Sequence, residues 1–338
     1  MMVATSSVSV VVPVYNEAIR LEALIASLRA QDYAGTMEFV FVDGDSTDES
    51  MMILQHAAAE ATTGPSIVIV HNPKRNIPTA MNLGIRAATG EMIVRVDGHS
   101  LPPVDLVSTL VNYLVMHSGL EVTYGRWDVV PSVPSHVGRA LAAAYTHWLS
   151  GAGSGYRSDK NPGSGPVNVD TVPYGAFARS TWAAVGGFDG NLLAAEDYDF
   201  MLRVRRAGGH VTLLPSLAIT YYARSTFTAV WRNAVRFGFW TTVMQRKHKR
   251  IVKARKAAPL VLLLAFLLMA GAWPLGAICG LMLYCVVLLV LAGVDSVCGR
   301  RSIIEVPIEA SGWFVMHAGY AIGSLAGLIR GYRKVMGS

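Results

Sequence analysis

Residues 257–294 carry no charged side chain, and this run constrains the chain more than any other feature. From Ala257 to Ala292 it would reach roughly 54 Å as one helix, against a bilayer core of ~30 Å. Trp273-Pro274 divides it, so two short helices forming a hairpin are expected, returning to a basic side at Arg300-Arg301. A third apolar stretch, Trp313 to Ile329, is rich in Gly and Ala, which suits close helix contact. It ends in the basic segment Arg330 to Lys334. Three full crossings would put those cations on the far side, so either the charge rule is broken there or one segment is re-entrant or interfacial. The chain is 52% hydrophobic and only 15% charged, against roughly 25% charged in soluble proteins. The tail accounts for the excess. The net charge of +6 is concentrated in Arg246 to Arg250 and Lys253 to Lys256, just before the run. That placement fits a cytoplasmic membrane face and no nucleic-acid partner. The amino-terminal residues lead through a few polar positions straight into a strand, so a soluble part that is not exported is expected. Cys279, Cys285 and Cys298 have no metal-ligand spacing and read as packing residues.

The first 100 residues have a different grammar. Val8 to Val14, Phe39 to Val42, Ile67 to Val70 and Met92 to Val96 are short β-rich runs, continuous enough to be covered on both faces. Helical patterns fit Ile19 to Ala30, Met51 to Ala61 and Pro78 to Ala88, with Ser46 or Thr47 as the expected cap of the second. Alternating strands and helices imply an α/β layer with right-handed crossovers. Polar and acidic residues gather after the strands, where open α/β sheets bind ligands. From Phe227 onward, Val230, Trp231, Ala234, Val235, Trp240, Val243 and Met244 recur at helical spacing, broken near Gly238. They read as amphipathic helices in the membrane interface. Three parts are therefore expected: a catalytic domain over 1–225, interfacial helices over 226–256, and membrane-embedded helices over 257–338.

Asp97-Gly98-His99 follows the last of these strands. On residue chemistry alone it is either an Asp-x-His pair for a divalent metal or a surface Asp-Gly turn. Further segments break the tie. Val8 to Glu17, Val42-Asp43-Gly44-Asp45-Ser46-Thr47-Asp48, Asp97-Gly98-His99 and Glu196-Asp197 together resemble a family 2 glycosyltransferase. Thr171 to Phe177, Gly186-Gly187-Phe188-Asp189 and Arg205 to Gly209 are similar to the exopolysaccharide glycosyltransferases within that family.

The resemblance implies the GT-A fold: a nucleotide-diphospho-sugar transferase with a Rossmann-like mixed sheet. It implies nucleotide-binding roles for Pro13, Tyr15, Glu17 and Asp97, with Tyr15 on the base; Arg75 is either a further contact to the base or diphosphate or an exposed loop cation. The family's Asp-Asp-Gly-Ser is here Asp43-Gly44-Asp45-Ser46, which leaves open whether Asp43 or Asp45 contacts the nucleoside. Asp97 and His99 would hold Mn²⁺ or Mg²⁺, with His in place of the family's second Asp. Asp197, beside Glu196, would be the catalytic base. Arg236 and Trp240 are a partial match to an element that covers the diphosphate in processive relatives. Asn82 also matches the family, with a structural role open to it. The Gly-rich stretch Gly151 to Pro166 is either a mobile loop near the acceptor or an inert surface loop.

The expected function is that of an inverting enzyme moving sugar from a nucleotide-sugar donor, a UDP-sugar, to a polyprenyl-diphosphate-linked saccharide at the membrane lipids. Two rivals stand beside it: a polyprenyl-phosphate glycosyl synthase and a non-catalytic membrane scaffold.

Overall fold

The computed structural model describes residues 6–61, 64–117, 119–150, 155–157, 165–249, 254–299 and 301–330. It divides into two compact units, one drawn from residues 1–128 and 154–221, the other from 129–153 and 222–338. The chain order is β1 (Val8–Val14), α1 (Ala18–Arg29), β2 (Met37–Asp43), α2 (Ser50–Glu60), β3 (Ser66–His71), α3 (Ile77–Ala87), β4 (Met92–Arg95), β5 (Ser100–Leu101) and α4 (Leu106–Met116). It continues through β6 (Glu121–Pro131), α5 (His136–Thr146), β7 (Val167–Asn168), β8 (Ala176–Ala178), α6 (Arg179–Ala184), α7 (Glu196–Arg206) and β9 (His210–Ala223). The last four helices are α8 (Phe227–Lys247), α9 (Ala254–Ala272), α10 (Pro274–Cys298) and α11 (Glu305–Arg330).

The first unit is built on one mixed sheet in the order β3-β2-β1-β4-β8-β6-β9-β5, with β7 alongside β9. The β3-β2-β1-β4 half is parallel. It is made from the β-branched runs, whose residues Val10, Val11, Val12, Phe39, Val40, Phe41 and Val42 are fully buried. Helices cover such strands on both faces, which is why no polar alternation interrupts them. The second half begins where β8 inserts antiparallel to β4, pairing Ile93 with Phe177 and Val94 with Ala176. All four parallel strands therefore end on one edge, and β8 bounds the parallel half beside β4.

One local expectation is overturned. Neither Ser46 nor Thr47 caps α2; the cap residue is Glu49, and it makes no side-chain cap bond. Ser46 and Thr47 are needed elsewhere. Ser46 Oγ accepts the Asn16 N–H, and the Thr47 N–H donates to Asn16 Oδ1. Asp48 takes the N–H groups of both Ala18 and Ser50. The loop after β1 is laced to the loop after β2, and that work outcompetes a helix cap.

In the second unit, Trp313 of α11 is wholly buried among Leu141, Ala144, Leu288, Ala292 and Ala310. Its indole N–H donates to the Ala144 carbonyl at 3.1 Å. The break expected at Gly238 does not occur, since α8 runs unbroken from Phe227 to Lys247. Gly238 serves packing instead: a Cβ there would lie 2.1 Å from the Tyr320 carbonyl oxygen of α11. On the facing helix, a Cβ on Gly323 would lie 2.0 Å from the Val235 carbonyl oxygen. The two backbones meet through missing side chains, the small-residue contact usual between apolar helices. Gly323→Val is accordingly expected to destabilise the detergent-solubilised protein by about 1–3 kcal/mol or more, through overpacking. The check is its thermal unfolding midpoint against wild type.

Two helices, Pro274–Cys298 and Glu305–Arg330, are long and apolar enough to cross a membrane. Leu268, Leu275, Met282, Leu283 and Val290 are each more than half exposed, an apolar outer surface too large for water to favour. The charged residues at the entrance of α11 are paired. Buried Glu305 accepts from Arg139 at 2.8 Å, and buried Glu309 accepts from Arg301 at 2.9 Å. Residues 250–253, 300 and 331–338, which include parts of the basic segments, lie outside the described residues.

Candidate active site

The loops at the carboxyl edge of the parallel strands carry the candidate residues. Tyr15 follows β1 and is half exposed, at 51%. Asn16 next to it adopts a left-handed backbone, φ 55°, a conformation Asn tolerates better than most residues. It turns the chain so that Glu17 faces inward, where Oε1 meets His99 Nδ1 at 3.1 Å. Gly98 is dictated by this approach: a Cβ there would lie 2.8 Å from Glu17 Cγ. The three residues of Asp97-Gly98-His99 thus have separate reasons to be what they are.

The structure treats Asp43 and Asp45 differently. Asp43 is buried at the end of β2; its Oδ2 accepts the Ser46 N–H, and its Oδ1 has no partner. Asp45 is partly exposed and already satisfied. Its oxygens meet His71 Nε2 at 2.6 Å and Arg75 Nη2 at 2.9 Å. Those two hydrogen bonds hold the Asp45 carboxyl below the usual range. An orphaned buried carboxylate oxygen is costly, so Asp43 is the one with an unmet need for a donor. Pro13 lies one step earlier, inside β1.

The centre of the site is a residue that the motifs did not single out. Arg95 closes β4 and is almost wholly buried. Its Nε and Nη2 donate to the two oxygens of Asp97 at 2.8 and 3.2 Å. Its Nη1 donates to Glu196 Oε1 at 3.4 Å. Burial alone would weaken the guanidinium's hold on its proton, but Asp97 and then Glu196 keep it firmly charged. Asp97 and Glu196, far apart in sequence, share this one cation. The signal available in advance was its setting, as the one charged residue inside the apolar strand Met92 to Val96, directly before the acid.

Glu196 and Asp197 open α7, which places Glu196, Asp197 and Asp199 in its first turn and three arginines in its last. That arrangement matches the helix dipole. Asp197 is only partly buried, and its Oδ1 accepts the Tyr198 N–H at 2.7 Å. An aromatic wall flanks the acids. Tyr221 lies edge-on to His99 at 5.6 Å and stacks flat on Trp127 at 4.0 Å. Trp127 in turn meets Tyr174, whose ring lies under the Arg95 guanidinium at 5.3 Å. Tyr124 is edge-on to Tyr174. The hydroxyls of Tyr124 and Tyr174 are buried without a partner. Burial, then Asp97, pushes both phenols up, so they remain neutral. Of the Gly-rich stretch 151–166, residues 155–157 and 165–166 are described; Tyr156 and Arg157 both rest on Trp127 at 5.1 Å.

Asn82 has a purely structural job here. Its amide bonds both the N–H and the carbonyl of Phe188, and the Trp182 indole. Arg236 and Trp240 lie on α8 in the second unit, with Trp240 edge-on to Phe239 at 5.1 Å.

Among the described residues no three His, Cys, Asp or Glu side chains gather as a ready-made metal cage. The residues present still fit a divalent cation of another kind. Glu17 takes the His99 Nδ1 side, the usual way to orient a ligating imidazole, and leaves Nε2 to accept a metal. Each Asp97 oxygen accepts one N–H from Arg95 and keeps a second lone pair. One or two protein ligands completed by phosphate oxygens is a common set for Mg²⁺.

Residues 9–171 match the model of the family described as Glycosyl transferase family 2. That match ends before Glu196 and Asp197. The chain is 26% identical over 261 residues to the succinoglycan biosynthesis protein ExoA of Rhizobium meliloti, covering 76% of this chain and 75% of that protein. It is 23% identical over 244 residues to a dolichyl N-acetyl-α-D-glucosaminyl phosphate 3-β-D-2,3-diacetamido-2,3-dideoxy-β-D-glucuronosyltransferase of Methanococcus voltae, covering 71% and 74%. Its fold is similar to that of the mannosyltransferase PcManGT from Pyrobaculum calidifontis, solved in complex with GDP-Man and Mn²⁺. The TM-score is 0.61 at 19% identity, over 95% of this chain and 86% of that one.

Proposed function

Because this chain is a glycosyltransferase with a family 2 domain over residues 9–171, we propose that it is an inverting, membrane-attached enzyme that builds a cell-surface glycan. The donor is a UDP-sugar and the acceptor a saccharide carried on a polyprenyl diphosphate. The lipid acceptor is supported by the two long apolar helices, since an aqueous acceptor would not require them. It is supported too by relatives whose names place them in succinoglycan biosynthesis and in sugar transfer on dolichyl phosphate. The same helices, with basic segments beside them, favour an inner-membrane location and a cytoplasmic active site.

The observation that carries this reading is the Arg95 bridge, which gathers Asp97 and Glu196 at one point with Asp197 beside them. Departure of a nucleoside diphosphate builds negative charge, and attack by a hydroxyl releases a proton. Asp97 and His99 would hold a divalent cation, Mn²⁺ or Mg²⁺, whose charge opposes that of the leaving diphosphate. Asp197 accepts the proton of the acceptor hydroxyl as that oxygen attacks the anomeric carbon from the face opposite the diphosphate. Glu196, committed to Arg95, positions rather than reacts. Asp43 Oδ1 accepts a hydrogen bond from the base or ribose, and Tyr15 stacks on the base. Asp45 and Arg75 hold each other and shape the rim of the nucleoside pocket.

The test is incubation of the purified chain with a panel of nucleotide sugars and a lipid-linked acceptor extract, with and without EDTA. Transfer from a UDP-sugar, lost in EDTA and restored by Mn²⁺, is expected. Transfer at an equal rate in EDTA would remove the metal role from Asp97 and His99.

A further inference from the structure

We infer that Arg95 holds back divalent-cation binding at Asp97 until a nucleoside diphosphate arrives, so that the cation loads with or after the nucleotide. The inference rests on the metal reading above and adds to it a residue and an order.

Three observations lead there. First, Arg95 occupies both oxygens of Asp97 through a two-pronged fork, in a pocket where neither side chain is more than about a tenth exposed. A guanidinium bound in this manner is a resident cation on the carboxylate that a metal would use. Screening by water is weak there, so the repulsion between that guanidinium and an incoming dication is large. Second, the protein's own ligand set is short. His99 is tied to Glu17 on one ring nitrogen, and among the described residues no third acid, His or Cys completes a cage. Among acids, His and Cys, a cation at this point would have the second lone pairs of Asp97 and the Nε2 nitrogen of His99. Third, Arg95 cannot swing away cheaply. Its Nη1 is held by Glu196 and its face is packed on Tyr174, so leaving would break both hydrogen bonds that it makes to the buried Asp97 carboxylate and the one to Glu196.

A diphosphate changes this balance in two ways. Its oxygens complete the coordination shell, and its negative charge offsets the repulsion from Arg95. The guanidinium stays where it is and keeps Asp97 and Glu196 aligned. Arg95 is thus a positioning residue that also sets the order of loading.

The experiment measures Mn²⁺ binding to the full-length, detergent-solubilised chain by electron paramagnetic resonance of free Mn²⁺, with and without UDP. Wild type is expected to bind Mn²⁺ at least about tenfold more weakly without UDP than with it. Arg95→Gln is expected to bind Mn²⁺ alone at least about tenfold more tightly than wild type alone, because the competing charge is gone. Arg95→Lys keeps a cation but loses the fork, so it should fall between the two. It also decides the matter if Arg95→Gln does not fold, which far-ultraviolet circular dichroism reports. Asp97→Asn should abolish binding in every case. Variants at Arg95 that bind Mn²⁺ alone no better than wild type would overturn the inference and leave the metal reading intact. Wild type that takes up no Mn²⁺ even with UDP would overturn the metal reading itself, and this inference with it.

Discussion

Asp197→Asn is expected to lower kcat by about 10²–10⁴-fold, the usual contribution of a positioned general base, and to leave the Kd for UDP within about twofold of wild type. The variant keeps shape and hydrogen-bonding capacity but cannot take a proton. The split between kcat and Kd follows from position. Asp197 opens α7 and is partly exposed, whereas the proposed nucleoside contacts are Asp43, which ends β2, and Tyr15, which follows β1. Glu196 cannot substitute, because its carboxylate is engaged by Arg95 in a buried pair. Single-turnover kinetics with the cognate UDP-sugar, alongside calorimetry with UDP, gives both numbers. The outcome also tells the two acceptor chemistries apart. A lipid phosphate is already an anion and has no hydroxyl proton to lose, so a polyprenyl-phosphate glycosyl synthase would keep near-normal turnover in this variant.

The second large effect concerns stability. Arg203→Met is expected to lower the free energy of unfolding by about 3–5 kcal/mol. Asp199 is wholly buried, and Arg203 reaches its Oδ2 with Nε at 2.9 Å and Nη2 at 2.8 Å. The same guanidinium donates to the carbonyl of Val185 and, at 2.7 Å, to that of Gly187. Methionine would fill much of the volume but remove every hydrogen bond that the guanidinium supplies to the buried Asp199 carboxylate and to the carbonyls of Val185 and Gly187. This is a different case from a surface ion pair, which would contribute little. Pairing it with Asp199→Asn should cost less than the sum of the two single changes, because the two side chains are in direct contact and the shared ion pair is lost only once. Thermal unfolding of the three variants measures this; a single-variant loss below about 1 kcal/mol would mean that the pair is dispensable.

Much of the parallel half of the sheet was legible in advance. Val8 to Val14 and Phe39 to Val42 are uninterrupted β-branched and aromatic runs, and such runs have few alternatives to a covered strand. The division of the tail at Trp273-Pro274 was equally plain, because proline is disfavoured in a helix interior but opens a helix well. The helix cap at Ser46 or Thr47 was misread because a capping side chain has the same identity whether it serves its own helix or a neighbouring loop. The break at Gly238 was misread for a similar reason. Glycine weakens a helix in isolation, but here a second helix lies against it and more than compensates. Arg95 stood in plain view, yet a lone arginine in a strand does not say which acids it will meet.

The sequence by itself determined the kinds of chemistry present and roughly where along the chain they fall: acids after strands, an acid pair opening a helix, an apolar tail with basic flanks. These follow from patterns a few residues long, since hydrophobic periodicity and turn chemistry act locally. Only the tertiary structure decided that Asp97 and Glu196 would share one guanidinium, that His99 would lean on Glu17, and that Asp43 rather than Asp45 would be left wanting a donor. Those pairings depend on β8 entering antiparallel beside β4 and on α7 arriving over its end. Contacts of that range are fixed by the packing of the whole sheet, and no short stretch of sequence encodes them.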